Sequence, residues 1–143
     1  MSRPRFPIRS LPRPSPTLVM KTLNVGVIGH GWVATAHIPA INATGKARVT
    51  AIYSSRPLDD AALSTRYGSP VKGYNDLGKM LSDPSIDVVT ICSYPQDHAK
   101  HVIAAARAGK DLIIEKPLAM SWKDCLAMDK AIREAGVKTC VCF

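Results

Sequence analysis

Gly29, Gly31 and Ala34 stand at the spacing of a G-x-G-x-x-G/A turn, directly after the apolar run Leu23 to Ile28. Residues of this kind at this spacing can hold a pyrophosphate, which needs several backbone N–H groups at once and no side chain in the way. Gly29 permits a tight turn, Gly31 lets an anion approach the main chain, and Ala34 is small enough for a helix to pack on the strand. His30 and Trp32 fill the variable positions. From Val33 onward a helix would direct its N-terminal amides and dipole at the anion. Gly29 through Ala34 are therefore candidate dinucleotide-binding residues. The competing reading is a strand-to-helix turn without a ligand.

An acidic residue about 20 positions beyond such a turn usually accepts the ribose 2′-hydroxyl of NAD. No acid occurs between Gly31 and Leu58, and the sequence reads Ser54-Ser55-Arg56 where the second strand ends. Hydroxyls and a guanidinium suit a 2′-phosphate, so NADP is favoured and NAD remains open. Arg56 as a solvated loop cation is the alternative.

Two further segments follow strands at the carboxyl edge, where open α/β sheets bind ligands. Ser93-Tyr94-Pro95 could border a nicotinamide, with Tyr94 equally able to serve packing. Glu115-Lys116-Pro117 places Lys116 at the rim of the same crevice, where a lysine can hydrogen-bond a reacting oxygen or hold a cofactor. From spacing alone Lys116 is as well read as a surface cation. His98 could cap its helix or line the crevice, while His101 lies off the apolar stripe and is expected at the surface. His30 is read as a tolerated position inside the turn, and His37, beside Pro39, receives no chemical role.

No metal site is expected. His98-x-x-His101 has one-turn spacing but no third ligand, and Cys140-x-Cys142 has no His or further Cys nearby in sequence. Cys92, Cys125, Cys140 and Cys142 have neither C-x-x-C spacing nor a secretory signal beside them, so they are read as reduced core thiols.

Strands and helices alternate along the chain to position these residues. Strands are expected at Leu23–Ile28, Arg48–Tyr53, Val71–Tyr74, Asp87–Cys92, Asp111–Glu115 and Val137–Phe143. Helices are expected from Val33, over Asp59–Tyr67 with Gly68 as its stop, over Asp76–Leu81, and over His98–Ala108 ending at Gly109. In that last helix Ala99, Val102, Ile103 and Ala106 share a face, and Cys125, Met128, Ile132 and Ala135 do so in a final helix stopped by Gly136. The expected fold is α/β, a doubly wound parallel sheet of the Rossmann dinucleotide-binding kind.

The chain has 143 residues and a net charge of +8. Half of that excess is Arg3, Arg5, Arg9 and Arg13 in an acid-free opening, so no nucleic-acid partner is expected. Pro4, Pro7, Pro12, Pro14 and Pro16 oppose regular structure there, and residues 1–19 are expected to be a disordered extension before a domain over 20–143. No apolar run approaches the ~20 residues needed to span a bilayer, and no secretory core is present, so a cytoplasmic protein without a membrane partner is expected.

Val-Ile-Gly-His-Gly-Trp-Val-Ala at Val27 to Ala34, Ser55-Arg56, Ile86 to Cys92, His98-Ala99, Ala-Gly-Lys at Ala108 to Lys110 and Glu115-Lys116-Pro117-Leu118-Ala119 together resemble the glucose-fructose oxidoreductase and inositol dehydrogenase family. The resemblance covers Lys21 to Phe143, and the Glu-Lys-Pro segment is its most specific part. It implies an oxidoreductase that binds NAD or NADP and moves hydride between the nicotinamide and a secondary alcohol of a sugar or polyol. It also implies that Lys116 lies at the active site, and that a second domain carries the substrate and further catalytic groups. A sixth strand reaching the last residue leaves that substrate domain missing from the expected organisation. Two readings stay open: the cofactor half of a dehydrogenase, and a nucleotide-binding module without catalysis.

Overall fold

The structure, a computed structural model, describes residues 21–142. The expected extension at 1–19 and the last residue of the expected sixth strand lie outside the described residues.

The strands are β1 (Leu23–Ile28), β2 (Ala47–Tyr53), β3 (Lys72–Tyr74), β4 (Val88–Ile91), β5 (Asp111–Ile114) and β6 (Thr139–Val141). They form one sheet in the order β3-β2-β1-β4-β5-β6, and every neighbouring pair is parallel. The helices are α1 (Ala34–Ala43), α2 (Asp60–Tyr67), α3 (Leu77–Leu81), α4 (His98–Arg107, entered through a 3-10 turn at Pro95–Asp97) and α5 (Trp122–Ala135). The sequence reversal between β1 and β4 is the point where open sheets of this type bind their ligands.

A core lies on each face of the sheet because strand side chains alternate. Val25, Val27, Val49 and Ile52 pack with Ala34 and Ile38 of α1 and Leu63 of α2. Ile28, Val89, Ile91, Leu112 and Ile114 pack with Val102, Ala105 and Ala106 of α4 and Met128 and Ala131 of α5. Full burial of an aliphatic side chain is worth ~1.5–3 kcal/mol. Truncating Ile91 or Ile114, both fully buried, would therefore open the second core.

Local chemistry sets the element ends. Asp59 caps α2, its carboxylate accepting from the amides of Ala61 and Ala62, and Gly68 closes the helix at φ 68°. Ser121 caps α5 through the Asp124 amide, and Gly136 ends it at φ 66°. Just before β4 the Asp87 carboxylate accepts from the Asn24 amide and from Lys21 Nζ. α1 continues through Pro39 as a single helix.

Three sequence expectations are corrected. His101 is buried, because the inner stripe of α4 runs His98, His101, Val102, Ala105 and Ala106. In α5 the inner position belongs to Ala131, while Ala135 is exposed; two alanines offer no amphipathic contrast to choose between them. Of the cysteines only Cys92 is a core thiol, since Cys140 is exposed on the edge strand and Cys125 and Cys142 are half-buried.

Candidate functional site

The carboxyl ends of the central strands are tied together by backbone bonds that continue past the ladders. The Gly29 amide donates to Tyr53 O at 2.9 Å, Cys92 to Ile28 O at 2.8 Å, Glu115 to Ile91 O at 3.2 Å and Cys142 to Ile114 O at 2.8 Å. The loops after β1, β2, β4 and β5 therefore leave the sheet along one edge. These are the loops that carry the predicted site residues.

Gly29 and Gly31 differ physically. Gly29 has φ +94°, and a Cβ there would meet the Ser93 backbone at 2.8 Å, so the turn closes directly on the loop after β4. At Gly31 an added Cβ would meet nothing within 4 Å. The first glycine is required by the protein's own packing, and the second borders open space. Beyond it Val33 is the cap residue of α1, Ala34 is fully buried beneath the helix start, and Trp32 is 86% exposed. His30 turns toward α2, its Nε2 2.9 Å from the Tyr67 hydroxyl. Burial, then the charges of Arg66 and Arg56, hold its pKa below the ordinary value.

After β2, Ser54 is buried and its hydroxyl accepts from the Arg56 amide at 3.1 Å, so this hydroxyl shapes the loop. Ser55 and Arg56 are exposed. Among the described residues neither side chain has a hydrogen-bond partner, and both lie at the edge of the crevice.

After β4, Ser93 is held from two sides. Its hydroxyl bonds His101 Nδ1 at 2.8 Å and its carbonyl faces His98 Nε2 at 3.1 Å. His98 Nδ1 lies 2.9 Å from Pro117 O, so this buried ring joins the loop after β4 to the loop after β5. A neutral ring donates to only one of those carbonyls; the protonated ring donates to both. His98 is thus a brace beneath the crevice. Burial lowers the His101 pKa, with Asp97 opposing and Lys100 and His98 adding to the shift. Tyr94 is 75% exposed, and Pro95 opens the 3-10 turn.

After β5, Lys116 is exposed and Glu115 points inward. Glu115 Oε1 accepts from His37 Nε2 at 2.7 Å, and Oε2 accepts from the Lys116 amide at 3.1 Å. On the other side of the His37 ring, Nδ1 is 3.2 Å from the Thr90 hydroxyl. The His37 and Glu115 side chains are 16% and 14% exposed. A chain of contacts thus runs from the core of β4, through α1, to the backbone of Lys116. Cys142 completes the group: one donor atom each from His37, Glu115 and Cys142 lie within 4.8 Å of one another. Burial and then the Glu115 carboxylate push the Cys142 thiol above its ordinary pKa, and burial pushes Cys92 up to about 11.

His37 receives no role from the sequence, and Cys142 enters there only as half of the Cys140-x-Cys142 pair, which lacked a further ligand nearby in sequence. A signal for His37 did exist: Ala34, His37, Ile38 and Ile41 follow the i, i+3, i+4, i+7 pattern of an inner helical face. The proximity of Cys142 has no local signal, because it comes from the pairing of β5 with β6.

A family model described as "Oxidoreductase family, NAD-binding Rossmann fold" matches residues 23–143. The chain is 36% identical over 115 residues to the 1,5-anhydro-D-fructose reductase of Ensifer adhaerens, covering 80% of this chain and 33% of the relative. It is 31% identical over 115 residues to the myo-inositol 2-dehydrogenase of Thermotoga maritima, covering 80% and 34%. Among solved structures, the WlbA dehydrogenase from Bordetella pertussis in complex with NADH and UDP-GlcNAcA superposes with a TM-score of 0.77 at 28% identity, covering 85% of this chain and 37% of that one. The chain thus spans about a third of the length of these relatives.

Proposed function

The chain belongs to the oxidoreductase family with an NAD-binding Rossmann fold, that of glucose-fructose oxidoreductase and inositol dehydrogenase, and on that premise we propose that it is the cofactor-binding part of an NAD(P)-dependent dehydrogenase acting on a sugar or polyol. The observation that carries the reading is the pair of glycines at the switch point of the sheet, Gly29 closed against the Ser93 backbone and Gly31 bordering open space at the start of α1. It fits a dinucleotide pyrophosphate approaching the start of α1.

In this reading the turn Gly29–Ala34 binds the phosphates through its main chain, with His30, Trp32 and Val33 contributing backbone to it. Ser55 and Arg56 select the ribose, and the absence of a carboxylate between Gly31 and Leu58 favours the 2′-phosphate of NADP. Ser54 supports Arg56 from beneath. Ser93, Tyr94 and Pro95 border the nicotinamide end, braced by His98. A bound nicotinamide supplies the site that accepts or returns hydride. Lys116 hydrogen-bonds the substrate oxygen as its proton moves, while Glu115 fixes the Lys116 backbone.

The test is a titration of the chain with NADPH and with NADH, followed by nicotinamide fluorescence, then, in a longer form that carries a substrate domain, an assay for reduced cofactor with myo-inositol and other polyols. Saturable binding that is tighter for NADPH, with Arg56→Ala weakening NADPH about 10-fold or more and leaving NADH unchanged, is the expected result. Equal loss for both cofactors would remove the role given to Arg56. Substrate-dependent reduction that Lys116→Ala abolishes supports the dehydrogenase, whereas binding without turnover on any polyol supports the non-catalytic module. Failure to bind either nucleotide overturns both.

A further inference from the structure

His37, Glu115 and Cys142 come from α1 and from the ends of β5 and β6, positions far apart in sequence that the parallel sheet brings to one spot. Their donor types are an imidazole nitrogen, a carboxylate oxygen and a thiol sulfur. We propose that these three residues form a binding site for one borderline-soft divalent cation of the zinc type, with the fourth coordination position left to water. The site adjoins the proposed nicotinamide end through Glu115, whose Oε2 holds the Lys116 amide, but none of its three side chains belongs to the phosphate-binding turn, so cation binding can be read without the nucleotide.

Charge favours this occupant. A neutral imidazole, a carboxylate and a thiolate together cancel a double positive charge, so the filled site would be electrically balanced in its half-buried setting. The donor set also discriminates between ions: a sulfur and a nitrogen suit zinc or cobalt, while magnesium and calcium favour oxygen.

Geometry supports it from the second layer. The nitrogen of a metal-bound histidine that does not face the ion is usually held by a hydrogen bond that fixes its tautomer. His37 Nδ1 has such a partner in Thr90 Oγ1 at 3.2 Å, and Thr90 is fully buried. When Nε2 gives its lone pair to a cation the ring proton resides on Nδ1 and is donated to Thr90. Thr90 can then turn its own hydroxyl hydrogen to Cys92 Sγ, 3.6 Å away. Every donor in that row keeps an acceptor.

The adjustment needed is small. Ligand atoms at zinc bond lengths of about 2.0–2.3 Å around a tetrahedron lie roughly 3.3–3.8 Å apart. The His37–Glu115 pair at 2.7 Å must open, and the limit of 4.8 Å on the whole group must close by about 1 Å. Glu115 Oε2 holds the Lys116 amide at 3.1 Å, which leaves Oε1 as the oxygen that faces the group.

The experiment uses the full 143-residue chain, stripped of metal and titrated with cobalt(II). One equivalent should bring up a near-ultraviolet thiolate-to-cobalt band with visible bands of four-coordinate intensity, and added zinc should remove both. Cys142→Ser should abolish the thiolate band, Cys140→Ser should leave it intact, and Thr90→Val should weaken affinity about 10-fold or more. X-ray absorption on the zinc-loaded wild-type chain gives a readout that depends on no variant, with a first shell of one sulfur and three nitrogen or oxygen atoms expected. A titration with no thiolate band, a band that survives Cys142→Ser, or a first shell with no sulfur or with two overturns the proposal.

Discussion

A methyl group added at Gly29 collides with the Ser93 backbone at 2.8 Å and must also adopt φ +94°, while the same group at Gly31 meets nothing within 4 Å. Gly29→Ala should therefore cost stability, about 2–4 kcal/mol by urea unfolding, from strain together with overpacking. Gly31→Ala should unfold like the wild type yet bind NADPH more weakly in the fluorescence titration. The motif assigns the tight turn to Gly29 and the approach of an anion to Gly31; the packed structure adds what closes on the first, the Ser93 backbone, and the open space beside the second. His101 gives a second prediction at this scale. Burial lowers its pKa below 6.5, so the unfolded chain binds the extra proton more readily. Its contribution to stability is present above pH 6.5 and fades as pH falls below that value. His101→Gln, which can keep a hydrogen bond to Ser93, should flatten the decline in urea midpoint between pH 6.5 and 5.

The alternation of strands and helices was legible because each element carries a strong local signal: the valines and isoleucines of β1 and β4, the Asp59 and Asp76 caps, and glycines at Gly68, Gly109 and Gly136 with positive φ. The inner face of α4 was not, since alanines at 99, 104, 105 and 106 blur the stripe and two histidines occupy buried positions. Lys110 was equally hidden. It is buried, and its Nζ donates to Asp83 O at 2.8 Å and Ile86 O at 2.9 Å, pinning the segment before β4 to the start of β5. Lys110→Met should cost about 2–4 kcal/mol, measured by chemical denaturation, because two carbonyls lose a charged donor. The same segment has a pH signature. Ser85 and Tyr74 donate to the Asp83 carboxylate and hold its pKa at about 2, below the usual 3.8. Its stabilisation is complete above pH 3.8 and disappears as pH falls toward 2, and Asp83→Asn should remove that part of the acid-denaturation profile.

At the scale of the molecule the site is an edge rather than a cavity. Loops after β1, β2, β4 and β5 converge there, with Trp32, Tyr94 and Trp122 among the large exposed side chains. Among the described residues no helix is long and apolar enough to cross a membrane. What the sequence could show of the candidate site was its segments, each marked by glycines or by a strand end; the His37–Glu115–Cys142 group depended on strand order, which local patterns do not encode. That order also sets a timetable. β1 pairs with β2 in the register Val25↔Val49, but with β4 in the register Val25↔Val88. During synthesis the first pair can form early, whereas the reversal between β1 and β4 exists only once Ile91 has left the ribosome. A nascent chain therefore carries its glycine turn for the time of some forty further residues before it has a second wall to place beside it.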